Sequence, residues 1–169
     1  MSVADDIIAK LGLQPHPKEG GYFCETYRSH EGFTKQQLPE RYSSSRSANT
    51  AIFYLLTPTT CSALHKLNTD EIFHFYAGSP VRMLQLHPDG SGKEILIGPD
   101  VLGGQSPQVV VPRDVWQGSF LEEGGEYCLL GCTVAPGFDF ADYEDGDRET
   151  LTAKYPKFEE LIKRLTPMT

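Results

Sequence analysis

The chain has 169 residues, 39% of them hydrophobic and 22% charged, which suits one soluble domain with its own core. A formal net charge of −8 offers no basic face to a phosphate backbone, so nucleic acid is not an expected partner. The opening Met1–Asp6 lacks a basic, then apolar, signal pattern and no apolar run nears the ~20 residues of a membrane span, so the expectation is a cytoplasmic protein with no membrane partner.

In chain order, residues 2–12 predict a helix: Ser2 can cap it, Asp5 and Asp6 occupy its first turn, and Ile7, Ile8 and Leu11 make its apolar stripe. Gly12 fits the stop. A loop at His16–Gly21 leads into a strand over Tyr22–Ser29, and the polar, Ser-rich stretch 31–48 reads as a long mobile loop or flap. From Thr50 to Val134 eight short β-rich runs alternate with turn signals. They are Ala51–Leu56, Ala63–Leu67, Glu71–Tyr76, Val81–His87, Glu94–Ile97, Gln108–Val111, Trp116–Leu121 and Tyr127–Val134. Such spacing predicts an antiparallel barrel or jelly roll, the core of it about 20–140 in one domain of 1–169. A C-terminal helix follows at about 150–165, with Pro156 either kinking it or marking its start.

Several side chains carry chemistry. His65 and Glu71 flank a short turn and should face one interior, where a carboxylate fixes the imidazole's tautomer and raises its basicity. Glu71 shares its face with Phe73 and Phe75, so it must pair or take up a proton. By alternation His74 points the other way, and Gln117 shares a face with Ser119 and Leu121. Along Tyr22–Ser29 the same rule puts Phe23, Glu25 and Tyr27 opposite Arg28, without saying which face lines a cavity. Glu25, Tyr27 and Arg28 are candidates for holding a polar ligand, Tyr54 for an acid, and Asp139 for orienting the histidine. Cys128 and Cys132 lie roughly 13 Å apart on an extended strand at ~3.3 Å per residue, too far for a disulfide. Cys24, Cys61 and this pair are expected to be free thiols. No nucleophile elbow or phosphate-binding loop occurs.

His65, Glu71 and Gly78 stand in H-x-L-x3-E-x6-G, which resembles a cupin metal motif whose second histidine is replaced by Leu67. The stretches HPKEGGYFCETYRS, SALHKLNTDEIFHFYAG, QVVVPRDVWQ and GCTVAPGFDF extend the likeness and point to the cupin_5 branch, largely without a defined activity. Lys18 stands as an extra residue in the family's HPEGG run, and Cys24 stands where relatives often carry Arg. The second motif keeps Pro112 but has Asp114 in place of its glycine and Gln117 in place of its histidine.

The resemblance implies an all-β double-stranded β-helix (jelly-roll) barrel with flanking N- and C-terminal helices, forming a homodimer, with a pocket for a small polar metabolite. No metal is expected to be held as a cofactor; a weak divalent ion would have His65, Glu71 and Gln117. Likeness to the metal-free dTDP-sugar 3,5-epimerases implies His65 as base, steadied by Glu71 or Asp139, with Tyr54 or Tyr27 returning a proton. Phe73 would help line such a pocket. The expected function is thus an epimerase- or isomerase-like reaction on a sugar or nucleotide-sugar. The alternatives are a metallo-enzyme with a degenerate His/Glu/Gln site, completed by Gln117 or His74, and a non-catalytic binding module.

Overall fold

Alternating apolar and polar positions bounded by Gly, Pro and Asn force short strands that bury one face. The computed structural model, which describes residues 2–167, has thirteen strands, of which the longer inner ones do so. They are β1 (Gln14–Pro15), β2 (Tyr22–Arg28), β3 (Gly32–Phe33), β4 (Arg46–Ser47), β5 (Thr50–Leu56), β6 (Cys61–Leu67) and β7 (Glu71–Gly78). The rest are β8 (Val81–Leu86), β9 (Gly92–Ile97), β10 (Gln108–Val111), β11 (Trp116–Leu121), β12 (Cys128–Val134) and β13 (Tyr143–Asp145). One sheet runs β1-β2-β5-β12-β7-β10, a second β13-β6-β11-β8-β9, and β3 and β4 make a third of two strands, all named pairs antiparallel. This is the expected all-β jelly roll.

Tyr54, Leu56, Phe73, Met83, Ile97 and Leu130 fill the barrel. Each fully buried large side chain contributes roughly 2 kcal/mol of transfer free energy. Helix α1 (Val3–Leu11) is closed at its start by a reciprocal Ser2–Asp5 capping box and at its end by Gly12. Its apolar stripe packs on Leu55, Phe53 and Leu129 of the six-stranded sheet. The expected C-terminal helix is two: α2 (Arg148–Lys154) and α3 (Glu159–Leu165), separated by a 3-10 turn at Pro156–Phe158. Pro156 cannot donate to the preceding turn, so the helix restarts there. Leu151, Tyr155, Ile162 and Leu165 cover the outer face of the five-stranded sheet through Leu64, Leu84 and Phe120.

Two local expectations change. Segment 31–48 is tied down: Tyr42 is fully buried, and Arg46 donates from Nε and Nη2 to the two oxygens of Asp142, both at 2.7 Å. Arg46 also reaches Ser44 and Ser45. In β2 the pairing with β5 skips from Glu25 to Tyr27, a β-bulge at Thr26 that resets the alternation.

Candidate functional site

One end of the barrel holds a cavity of about 350 Å³, within the range of small-ligand pockets. Its walls come from the His16–Gly21 turn, from β2, from the inner faces of β5, β6, β7 and β12, and from Phe138–Tyr143. The bulge decides what β2 contributes. Simple alternation would put Glu25 and Arg28 on opposite faces, but after the extra residue both line the cavity and Tyr27 is 53% exposed on the outside. Arg28 donates from Nε and Nη2 to Glu25, both at 2.8 Å, and from Nη2 to the Phe138 carbonyl at 3.1 Å.

At the base lies His65. A register shift between β6 and β11 beside Ala63 and Leu64 lets His65 Nδ1 sit 2.7 Å from the Ala63 carbonyl, which can only accept. The other nitrogen, Nε2, is 3.0 Å from Glu19 Oε2. With Nδ1 carrying a proton, one more proton must lie between Nε2 and the carboxyl. The pair is either neutral imidazole with carboxylic acid or imidazolium with carboxylate. Burial favours the neutral form from both sides: it lifts Glu19 to about 8 and lowers His65, which Glu71 partly offsets. Tyr143 stacks on the imidazole at 4.9 Å between ring centroids. Its hydroxyl is buried without a hydrogen-bond partner.

Glu71, on the first residue of β7, is raised to about 7 by burial and then by Glu19. Gln117, paired directly across from His65, donates from Nε2 to Glu71 Oε2 at 2.6 Å. Glu19 is placed by its turn. His16 Nδ1 accepts from the amides of Lys18 (3.3 Å) and Glu19 (3.0 Å), and the Glu19 carbonyl accepts from Ala63 N. Gly20 has φ +89°, and a Cβ there would lie 2.5 Å from the Cys61 carbonyl oxygen. His16 itself is pushed down to about 4 by burial and by His65.

His65, Glu71, Glu25, Arg28 and Asp139 therefore meet at one cavity, as candidates from the sequence. Asp139 does not hold His65; it caps the following turn through Ala141 N at 2.8 Å. Tyr54, Tyr27 and Phe73 are not cavity residues. Tyr54 is buried behind the Glu19 turn, its hydroxyl donating to the Gly20 carbonyl at 2.7 Å. Phe73 belongs to the barrel core, and Gln117 acts from behind Glu71. His74 faces outward and meets Thr133 Oγ1 at 3.0 Å. Glu19, His16 and Tyr143 had no signal in spacing: the first two lie on a turn, and Tyr143 on a three-residue strand among acidic residues.

The metal implied by the cupin motif finds no fitting cage. Leu67 brings hydrocarbon where a ligand belongs, Gln117 turns its N–H to Glu71, and His65 Nε2 is committed to Glu19. Among the described residues no group of three or more His, Cys, Asp or Glu is arranged to hold an ion. Among them, too, no helix is long and apolar enough to cross a membrane.

Comparison with known proteins agrees with the fold. Residues 5–145 match the family described as Cupin_5, Cupin superfamily (DUF985). The Saccharomyces cerevisiae protein YML079W is 34% identical over 134 residues, 75% of this chain and 67% of that protein. Protein SO0799 from Shewanella oneidensis superposes with a TM-score of 0.87 at 32% identity, covering 100% of both chains. A hypothetical protein from Leishmania major gives 0.86 at 30% identity, over 99% of this chain and 100% of that one. An oxalate decarboxylase of Bacillus subtilis shares the fold alone, with a TM-score of 0.53 at 15% identity, over 93% of this chain and 41% of its own.

Proposed function

The chain belongs to the cupin superfamily, in its DUF985 branch, and from that premise we propose a metal-independent isomerase or epimerase acting on a small sugar or nucleotide-sugar metabolite. The observation that carries this reading is the 3.0 Å contact of His65 Nε2 with Glu19 Oε2 at the foot of an aromatic-walled cavity. Proton abstraction next to a carbonyl needs a base that titrates near the working pH, and burial has brought both carboxyls there. In the imidazolium–carboxylate form of the pair Glu19 removes the C–H proton, and the pair, then holding one proton too many, releases it to solvent. Glu71, in its acid form, hydrogen-bonds the enolate oxygen. Tyr143, with its uncommitted hydroxyl, returns a proton, recovers one from solvent because burial disfavours its phenolate, and takes the role expected of Tyr54 or Tyr27. Gln117 is a positioning residue for Glu71.

The test is proton exchange in D2O: hexoses and nucleotide-sugars bearing a carbonyl are incubated with the protein, and loss of the adjacent C–H signal is followed by NMR. Exchange with the unaltered protein should fall by ~10²-fold or more in His65→Gln. Exchange that survives in His65→Gln, or none with any compound, sinks the reading.

One observation favours a second reading, a binding module without catalysis. Both ring nitrogens of His65 are engaged, so no imidazole lone pair is free in this arrangement.

We also propose that the protein is a homodimer. Register places Tyr27, Ala51, Thr133, Ile72 and Val110 in one row across the outer face of the six-stranded sheet. Tyr27, Val110 and neighbouring Tyr76 are each half exposed, an apolar stripe of the kind a two-fold contact covers.

A further inference from the structure

The cavity that the proposed reaction uses is lined by ring faces and by more carboxyls than cations. Four carboxyls line it, Glu19, Glu25, Glu71 and Asp139, against one guanidinium, Arg28. That guanidinium is partly committed: Nε and Nη2 both donate to Glu25, Nη2 also to the Phe138 carbonyl, and only Nη1 is left over. The nearby backbone amides are committed as well. Lys18 N and Glu19 N go to His16, Phe138 N goes to Thr50 Oγ1 at 2.9 Å, and Ala141 N goes to Asp139. Lys18 Nζ lies outside the lining, over Tyr143 and 3.7 Å from Asp145.

A phosphate or carboxylate needs converging N–H groups or an unspent cation, and this cavity offers only the single Nη1 group of Arg28, beside the carboxylate of Glu25. It does offer aromatic surface. Phe138 and Phe140 meet edge to face at 5.0 Å, Phe140 continues to Tyr143 at 6.3 Å, and His16 tilts on Phe23 at 4.8 Å. Ring faces beside a carboxylate attract a cation, and Asp139 is the lining carboxyl that is neither buried into its acid form like Glu19 and Glu71 nor ion-paired like Glu25.

We propose that the site selects a ligand carrying a protonated amine, an aminated sugar being the class that joins this preference to the reaction proposed above, and that it turns phosphorylated sugars away. The inference rests on that reading only for the sugar scaffold; the charge preference stands on the cavity itself.

The experiment is calorimetric titration with glucosamine, glucose and glucose 6-phosphate at about pH 6.5, where the amine is protonated. Glucosamine should bind about tenfold or more tightly than glucose, and glucose 6-phosphate least. Equal affinity for glucose, preference for the phosphate, or no binding by any of the three would overturn the proposal. Glu25→Gln frees Arg28, so the glucosamine-to-phosphate preference should drop about tenfold, with Asp139→Asn as a second variant lowering it in the same direction. A preference unchanged in both folded variants would also overturn it. The two proposals fail separately: charge selection without C–H exchange discards the isomerase, and exchange that runs equally on glucose 6-phosphate discards the amine.

Discussion

A buried carboxyl with no cation beside it resolves its predicament by keeping its proton, and two such groups here make the protein's stability a function of pH. Glu19 and Glu71 titrate near 8 and 7 when folded, against an ordinary 4.5. Between those values the unfolded chain has lost protons that the folded protein retains, so stability falls as pH rises through 7 and 8. His16, held near 4, and His65, also lowered, work in the other direction below about 6.5, because the unfolded chain takes up protons they refuse. Urea unfolding should therefore show a maximum near pH 6 and a loss on the order of 2 kcal/mol by pH 9. Glu71→Gln should flatten that alkaline loss; an unchanged slope would remove Glu71 as a source. At this scale the sequence disclosed what the motif spacing carries, namely His65, Glu71 and Gln117. Glu19 stood in the HPKEGG run that carries the family likeness, but its role was not legible, because a turn has no period from which to infer where its side chains point. The sequence was silent on Tyr143, since three residues flanked by acids carry no strand signal.

Between residue and molecule, the decisive element is β2, where one extra residue reverses what alternation says. The existence and extent of the strand follow from its composition, whereas the bulge depends on pairing with β5, which only the assembled sheet determines. Segment 31–48 is similar: its polarity suggests freedom, but Arg46 finds its partner 96 residues away in Asp142. Removing that guanidinium leaves a buried, uncompensated carboxylate. Arg46→Ala should cost about 3–5 kcal/mol in chemical denaturation, whereas the double change Arg46→Met with Asp142→Leu should recover most of it. Equal losses in the single and double variants would show that packing, not charge, holds the segment. Where Pro156 falls, the sequence does locate the break between α2 and α3, because the missing N–H is a local fact.

For the molecule as a whole, one sheet is roofed by α2 and α3 while the other is covered only in part by α1. The uncovered row ending at Val110 is the surface we propose for a second copy. Val110→Glu with Tyr76→Glu should convert a dimer to a monomer in light scattering, with circular dichroism unchanged. A monomer before any substitution would dismiss the dimer. The architecture itself was legible because eight runs at short spacing admit few closed solutions, while the small strands β1, β3, β4 and β13 fall below what a period can reveal. The contact from Arg28 to the Phe138 carbonyl spans 110 residues, and the cavity's walls are drawn from both ends of that interval. Closing so long a loop costs entropy that is repaid only when the last strands dock. The pocket is thus acquired late: a nascent chain synthesised only through β11 has the His65 strand but lacks the walls that β12 and Phe138–Tyr143 supply.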